Sequence, residues 1–283
     1  AKDPKKSRIK YFAPNGRVAE RLRLYGVREE NIFLTGFPLP KEIIGGPTGE
    51  MVKADLKMRL CNLDPNGVFT KKYQRTLNAE LGINYCPEKS NRPLTLTFSV
   101  GGAGAQRNLA IQVVQSLKHK LGRGMLHLHL AAGTKKSAAD YFTEKIRAMG
   151  LKKALGRNLF VDYYSDRPTY FHEFTKLLRR TDILWTKPSE MSFYTGVGLP
   201  IIMAPSIGSQ EVFNRVWLKQ VGGGITQGDP RYTDEWLFDW VASGGLARMA
   251  WNGYIEAPTH GAYRIESIIT GEKVELDKVP MIV

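Results

Sequence analysis

The sequence "FSVGGAGAQRNLAIQVVQSL" (Phe98–Leu117) joins an apolar run to a helical pattern through a cluster of glycines. The apolar run predicts a buried strand, and the apolar positions after the glycines recur at helical spacing. Glycines at such a turn let the backbone approach a ligand closely, while the first helical turn offers unpaired N–H groups. The stretch therefore predicts either a phosphate-binding turn or only a tight connection between a strand and a helix.

The same alternation continues on the C-terminal side of this turn. Strand patterns alternate with helical patterns from Pro93 onward; the strands read "LTLTFSV", "MLHLHLAAG", "NLFVDYY", "DILWT" and "LPIIMAP". Alternating strands and helices predict an α/β fold, a Rossmann-like parallel sheet with helices on both faces. Because such sheets bind ligands at the carboxyl ends of their strands, the loops after these strands are the candidate site.

Residues before Pro93 read differently. The first 40 residues have a strand, helix, strand pattern, and residues 41–92 contain two helical patterns separated by the turn "DPNG". We expect residues 41–92 to form a separate helical insertion or linker.

Composition limits the functional classes. The chain has 283 residues and a formal net charge of +14, which indicates an anionic partner or only a basic solvated surface. The basic residues are scattered without a zinc-finger, homeodomain or RNA-binding pattern, which argues against nucleic acid. Cys61 and Cys86 lack zinc-site spacing, and we expect reduced thiols in a cytosolic protein. No apolar run reaches the roughly 20 residues that span a bilayer.

A second motif is "TKPSEMSFYTGVGLP" (residues 186–200), which joins a strand to a short helix. Ser189 can cap that helix, and Lys187 can place a positive charge beside a phosphate or ribose. The alternative is an ordinary capped helix with Lys187 solvated.

A third motif opens the helix "SQEVFNRVWLKQVG", in which Gln210, Glu211 and Asn214 share one face. Carboxylate and amide groups bind neighbouring sugar hydroxyls because together they accept and donate hydrogen bonds. The alternative is that Ser209 caps the helix and Glu211 only complements its dipole.

Other catalytic patterns are weak. The alternating His127 and His129 fit packing or surface positions better than metal ligation. No order of Ser, His and Asp suggests a triad, and no metal-ligand spacing is present. The catalytic residues are therefore unassigned, and we expect no metal.

The order "LTGFPLP", "GGAGAQ", "KPSE…GLPIIMAP…SQE…N" resembles the C-terminal half of GT-B glycosyltransferases. The group it resembles contains monogalactosyldiacylglycerol synthase, the diacylglycerol glucosyltransferases and the peptidoglycan N-acetylglucosaminyl transferase. The resemblance covers residues 8–40 and 93–226. It implies the end of an N-terminal domain at 1–40, a nucleotide-sugar-binding Rossmann-like domain at 93–250 and a tail at 251–283.

The resemblance also implies roles for particular residues. The expected diphosphate-binding residues are Gly101, Gly102, Ala103, Gly104 and Gln106. The expected ribose- and phosphate-binding residues are Lys187, Ser189, Glu190 and Ser192. The expected donor-sugar residues are Gln210, Glu211 and Asn214. No cofactor is implied, because the UDP-sugar is the substrate.

Two features depart from that family. Phe193 stands where the family has a ribose-binding Glu, and Glu190 is the candidate to replace it. The chain also begins near the end of the N-terminal domain, which in the family holds the acceptor site and the general base.

The function implied is transfer of a sugar from a UDP-sugar to a lipid or lipid-like acceptor, by a cytoplasmic enzyme that is peripheral on an anionic membrane. The alternatives are a nucleotide-sugar epimerase of the same fold and a non-catalytic nucleotide-binding module. Neither the donor sugar nor the oligomeric state follows from the sequence.

Overall fold

The computed structural model describes residues 2–82, 92–99 and 106–276. Predictions for Gly101, Gly102, Ala103 and Gly104, and for Cys86, lie outside the described residues.

The N-terminal residues form a small βαβ unit, as their pattern predicts. Strands β1 (Tyr11–Ala13) and β2 (Ile32–Leu34) pair in parallel, and α1 (Gly16–Leu24) connects them. Asn15 sets the start of α1, because its side chain accepts a hydrogen bond from the backbone N–H of Val18 at 3.0 Å.

Three helices follow: α2 (Lys41–Ile44), α3 (Glu50–Leu63) and α4 (Val68–Leu81). Leu56, Leu60 and Leu63 of α3 are fully buried and belong to the same apolar core as Leu96 of the main sheet. Residues 50–81 thus pack directly on the main sheet, while the division of the chain into domains stays a prediction.

The main sheet has six parallel strands. They are β3 (Leu94–Ser99), β4 (Leu126–Gly133), β5 (Leu159–Tyr163), β6 (Ile183–Thr186), β7 (Ile201–Met203) and β8 (Gly224–Thr226). Their order is β5-β4-β3-β6-β7-β8. In β6, Ile183 and Trp185 face one apolar core while Leu184 faces the other. The strand is buried on both faces, which explains why its sequence is a continuous apolar run.

Helices cover both faces of this sheet. The first face carries α5 (Arg107–Ser116), α6 (Lys118–Gly122) and α7 (Lys136–Ala148). The second carries α8 (Arg167–Arg180), the 3₁₀ helix Glu190–Val197 and α9 (Ser209–Gln220). The predicted fold class is therefore confirmed.

The C-terminal part is helical both before residue 250 and after it, where a tail at 251–283 was expected. It contains α10 (Thr233–Ala242), α11 (Gly245–Glu256) and α12 (Gly261–Thr270). At the start of α12, Gly261 N donates to Phe37 O at 3.0 Å, and Phe37 N donates to Pro258 O at 2.9 Å. A side chain at Gly261 would come within 2.3 Å of Gly36 O, so only glycine allows this close approach. The C-terminal segment thus lies directly against residues 36–37.

The expectation of reduced cysteines is wrong for Cys61, which is disulfide-bonded. Cys86 is the only other cysteine of the sequence. The cytoplasmic location loses the support that reduced thiols gave it and stays a prediction. Within the described residues, no helix is both long and apolar enough to cross a membrane.

Candidate functional site

The strand order reverses between β3 and β6, whose carboxyl ends are Ser99 and Thr186. From β3 the sheet grows toward β4 and β5, and from β6 toward β7 and β8, so the following connections diverge. The Thr186 hydroxyl donates to Ser99 O at 3.4 Å and holds the two ends together. Open α/β sheets bind ligands outside the strand ends at this switch point. We call the space above Ser99 and Thr186 the switch crevice.

Gln106 lies at the N-cap of α5, beside the switch crevice. The first intrahelical bond runs from Ala110 N to Gln106 O at 3.2 Å, so the preceding N–H groups of the helix are left for other partners. The Gln106 side chain donates from Nε2 to Pro205 O at 3.0 Å and ties α5 to the loop after β7. The predicted glycine residues precede Gln106 and lie outside the described residues, so their role stays a prediction.

Lys187 and Glu211 form a partly buried ion pair across the edge of the sheet. Lys187 Nζ lies 2.6 Å from Glu211 Oε1, and the Glu211 side chain is only 5% exposed. The other oxygen, Oε2, accepts from Ile207 N at 2.7 Å. Burial raises the pKa of Glu211, but the hydrogen bonds from Lys187 and Ile207 outweigh it and hold the pKa below its ordinary value. Two motifs 24 residues apart therefore meet in one charged contact.

This pair also decides between the alternatives left by the sequence. Lys187 is not simply solvated, because it is bound to Glu211. Gly208, not Ser209, is the N-cap of α9, so the capping alternative for Ser209 is wrong. Ser189 does occupy the N-cap of the 3₁₀ helix, but its side chain makes no capping hydrogen bond.

Three buried polar atoms near the switch crevice have no hydrogen-bond partner among the described residues. They are Gln106 Oε1, Ser192 Oγ and Ser206 Oγ. Each follows the carboxyl end of a different strand, namely β3, β6 and β7. Because most buried polar atoms in proteins are paired, unpaired atoms at one edge indicate a place prepared for a ligand or for water. Sequence reasoning missed Ser206, and its only signal was its position directly after a strand.

The remaining candidates lie apart from this contact. Gln210 is exposed on the first turn of α9, and Asn214 is partly buried one turn later. The structure does not describe the side chain of Glu190, so its proposed ribose contact stays a prediction.

A cavity of about 130 Å³ opens beside the switch crevice. It is lined by Ser99, by the end of β4 and the residues after it (131–135), and by Tyr170 and Met191. Burial raises the pKa of the Tyr170 phenol, which keeps it neutral. We call this space the carboxyl-edge cavity.

A second cavity of about 150 Å³ lies between α1 and α9, and we call it the α1–α9 cavity. Phe193 lines it, stacked on Phe37 with ring centroids 4.0 Å apart and edge-on to Trp217 at 6.0 Å. Phe193 is thus an aromatic packing residue of this cavity.

The histidines of β4 are packing residues, as expected. His129 stacks on Phe160 at 4.4 Å and lies 3.0 Å from Asp162, while burial lowers the pKa of His127. In the described ranges no group of three or more His, Cys, Asp or Glu side chains can hold a metal ion.

Comparison with known proteins gives a match of fold. No protein-family profile and no curated protein sequence matches the chain. UDP-GlcNAc 2-epimerase from Neisseria meningitidis, solved with UDP-GlcNAc bound, matches with a TM-score of 0.52 and 10% identity over 93% of this chain.

Two further solved structures are similar at lower scores. MurG from Acinetobacter baumannii matches 65% of this chain with 13% identity and a TM-score of 0.47. A glycosyltransferase from Rickettsia africae matches 92% with 14% identity and a TM-score of 0.44. The chain spans 61%, 51% and 62% of the lengths of these three proteins, in the order given. At 10% identity the likeness to the Neisseria protein shows the fold alone, which is an α/β fold with a Rossmann-like parallel sheet.

Proposed function

We propose that the chain binds the nucleoside diphosphate of a UDP-sugar in the switch crevice and is the donor-binding part of a glycosyltransferase. The observation that supports this most is the gathering of unpaired polar atoms, a helix N-terminus and Lys187 at one switch point. A positive helix end and a cation are the groups that an anionic diphosphate needs.

The diphosphate would lie between the predicted glycine turn and the first turn of α5. Lys187 would turn from Glu211 toward the phosphates, and Glu211 would remain held by Ile207 N. The uracil base would enter the carboxyl-edge cavity and contact Tyr170. The sugar would contact the side-chain amides of Gln210 and Asn214. Of the three predicted donor-sugar residues, these two are not part of the Lys187–Glu211 ion pair.

In the reaction, an acceptor hydroxyl oxygen forms a bond to the anomeric carbon of the sugar. The bond from that carbon to the diphosphate oxygen breaks, and UDP leaves with the bonding electron pair. Backbone N–H groups and Lys187 stabilise the charge that develops on the diphosphate. The acceptor proton passes to a base that no described residue is assigned to supply.

The lipid character of the acceptor and attachment to a membrane surface belong to this proposal. The net charge of +14 supports them, because each Lys or Arg near an anionic bilayer contributes on the order of 1 kcal/mol. Sedimentation with phosphatidylglycerol vesicles, compared with phosphatidylcholine vesicles, tests this part. Equal sedimentation with both would remove it.

A nucleotide-sugar epimerase is the second candidate. The fold likeness to the Neisseria protein, at a TM-score of 0.52, supports it. Incubation with UDP-GlcNAc alone, followed by proton NMR of the sugar, separates the two candidates. A C2 epimer formed without an acceptor would indicate the epimerase, whereas UDP release that requires an added acceptor would indicate the transferase.

Titration calorimetry with UDP, ADP and GDP tests nucleotide binding itself. We expect UDP to bind selectively and Lys187→Met to weaken it about tenfold, the effect of losing one charge-assisted hydrogen bond. Lys219→Met is the matched control, because Lys219 lies at the far end of α9 and should leave the affinity unchanged.

The sugar contact is tested with UDP-sugars in the same way. Gln210→Ala should remove the extra affinity of a UDP-sugar over UDP, and Gln220→Ala at the last residue of α9 should not. Absence of UDP binding in a folded protein, or equal effects of the Lys187 and Lys219 variants, would overturn the proposed function. Selective UDP binding without any turnover of UDP-sugars would favour the non-catalytic module.

A further inference from the structure

Apart from Asn214, a proposed contact of the donor sugar, the residues that line the α1–α9 cavity have no role in the proposed donor site. Its floor is aromatic, formed by Phe37, Phe193 and Trp217, and Phe37 and Trp217 are almost fully buried. The ring centroids of Phe37 and Trp217 are 5.2 Å apart. A volume of about 150 Å³ is similar to that of an engineered apolar cavity that takes up benzene. The floor can therefore accept one ring-sized apolar group.

The rim of the cavity is positively charged. Arg17 and Arg21 of α1 line it and are exposed, and the Arg21 guanidinium lies 5.4 Å from the ring centroid of Phe213. Among the described residues neither arginine has a carboxylate partner, whereas Arg23 on the same helix lies 2.7 Å from Glu29. Two guanidinium groups without a counter-ion at the opening of an aromatic pocket fit a phosphate or a carboxylate.

The cavity lies beside the proposed sugar position and apart from the switch crevice. Asn214 lines the cavity, and Gln210 precedes it by four residues on α9, about 6 Å along the helix axis. A group bound in the cavity would therefore sit next to the donor sugar, where the second reactant of a transfer reaction has to be.

We propose that the α1–α9 cavity is an acceptor subsite for a ring-sized apolar group that carries a phosphate or a carboxylate. The ring would lie on Phe37, Phe193 and Trp217, and the anion between Arg17 and Arg21. This inference rests on the proposed transferase function. It also gives Phe193 a part in the site, as a wall for the acceptor in place of a contact to the donor ribose.

Ligand-observed ¹⁹F NMR with 4-fluorophenyl phosphate tests the subsite. A probe of this size should bind with a dissociation constant on the order of 1 mM. If only the negative charge of the anion matters, 4-fluorobenzoate should bind as tightly as 4-fluorophenyl phosphate. We expect 4-fluorophenol, which lacks the anion, and inorganic phosphate, which lacks the ring, to bind at least about tenfold more weakly. The comparison of 4-fluorophenyl phosphate with 4-fluorobenzoate shows whether the subsite prefers a phosphate or a carboxylate.

Matched variants locate the binding. Arg21→Met, and more strongly Arg17→Met with Arg21→Met, should weaken the probe about tenfold or more, while Arg23→Met should change it less than about twofold. All three residues are exposed, so the variants should fold, which circular dichroism checks. Equal weakening by Arg21→Met and Arg23→Met would overturn the proposal, as would equal binding of 4-fluorophenol.

Repeating the titration with saturating UDP separates this inference from the proposed function. Joint binding of probe and UDP supports the subsite, because acceptor and donor have to be held together. Displacement of the probe by UDP, or no probe binding by a protein that binds UDP, overturns the subsite and leaves the donor site intact. Probe binding by a protein that binds no nucleotide overturns both the proposed function and the acceptor role.

Discussion

The two ends of strand β6 bury polar groups in opposite ways. At the amino end, the carboxylate of Asp182 is fully buried and accepts from Thr95 N and Asn62 Nδ2, each at 2.8 Å, and from the guanidinium of Arg92. Beyond the carboxyl end, Ser192 of the 3₁₀ helix is also fully buried, but its hydroxyl has no partner in the part of the chain that the structure describes.

Arg59 extends the closed network at the amino end. Its guanidinium is buried and donates to the carbonyls of Thr181 and Val197, both at 2.8 Å. These carbonyls lie at the ends of α8 and the 3₁₀ helix Glu190–Val197, where backbone acceptors otherwise lack partners. At the amino end of β6, buried polar groups are therefore paired and join neighbouring helices. Near the carboxyl end, where a ligand is proposed to bind, several buried polar groups are unpaired among the described residues.

The largest expected effect comes from removing Arg59 at the amino end of β6. Arg59→Met should lower the free energy of unfolding by about 4 kcal/mol, because it leaves buried carbonyls without donors. Urea denaturation measures this, and Arg75→Met on the exposed side of α4 is the control. A loss below about 1 kcal/mol would show that water reaches these carbonyls.

A smaller effect concerns the Lys187–Glu211 ion pair near the carboxyl end of β6. The pKa of Glu211 is below its ordinary value of 4.5, so the pair stabilises the fold above that pH and its contribution is lost as pH falls through the lowered pKa. Glu211→Gln should cost about 1–2 kcal/mol at pH 7 and flatten the fall in stability at acidic pH. Denaturation curves at pH 3 to 7 measure both. If the free energy of unfolding of the variant still falls steeply at acidic pH, other carboxylates cause that fall.

Removing an unpaired hydroxyl should have the opposite sign. Ser192→Ala should raise the free energy of unfolding by about 1 kcal/mol, because the buried oxygen forms no hydrogen bond that repays its desolvation. Thermal unfolding without nucleotide is the measurement. A decrease in melting temperature would mean that Ser192 already has a partner, such as an ordered water.

The smallest effect compares two helix starts. Ser189→Ala should cost at most a few tenths of a kcal/mol, since Ser189 makes no capping bond. Asp166→Ala at the start of α8 should cost about 1 kcal/mol, because Asp166 accepts from Thr169 N at 2.9 Å. Equal losses in urea denaturation would contradict the difference in capping.

Much of the sheet was predictable because its strands are short apolar runs and its helices show a regular period. The prediction that the site lies in the loops after the strands needed only that order, whereas the switch point itself required the strand order of the sheet. The Lys187–Glu211 pair and the contacts of Arg59 were not predictable, because they join residues 24 and more than 100 positions apart. Local patterns carry no information on such pairings.

Other features also depend on residues far apart in the sequence. The spacing of the two cysteines did not reveal that Cys61 is disulfide-bonded. The position of α12 depends on Gly261 fitting against Gly36 and Phe37. The stacking of Phe193 on Phe37 likewise joins two distant parts of the chain.

The contact between residues 36–37 and 258–261 joins two stretches that are more than 200 residues apart in the sequence. Phe37 N donates to Pro258 O and Gly261 N donates to Phe37 O, so the two stretches are joined by backbone groups. Because no side chain makes these hydrogen bonds, most substitutions there would leave them intact, whereas any side chain at Gly261 would push the two backbones apart.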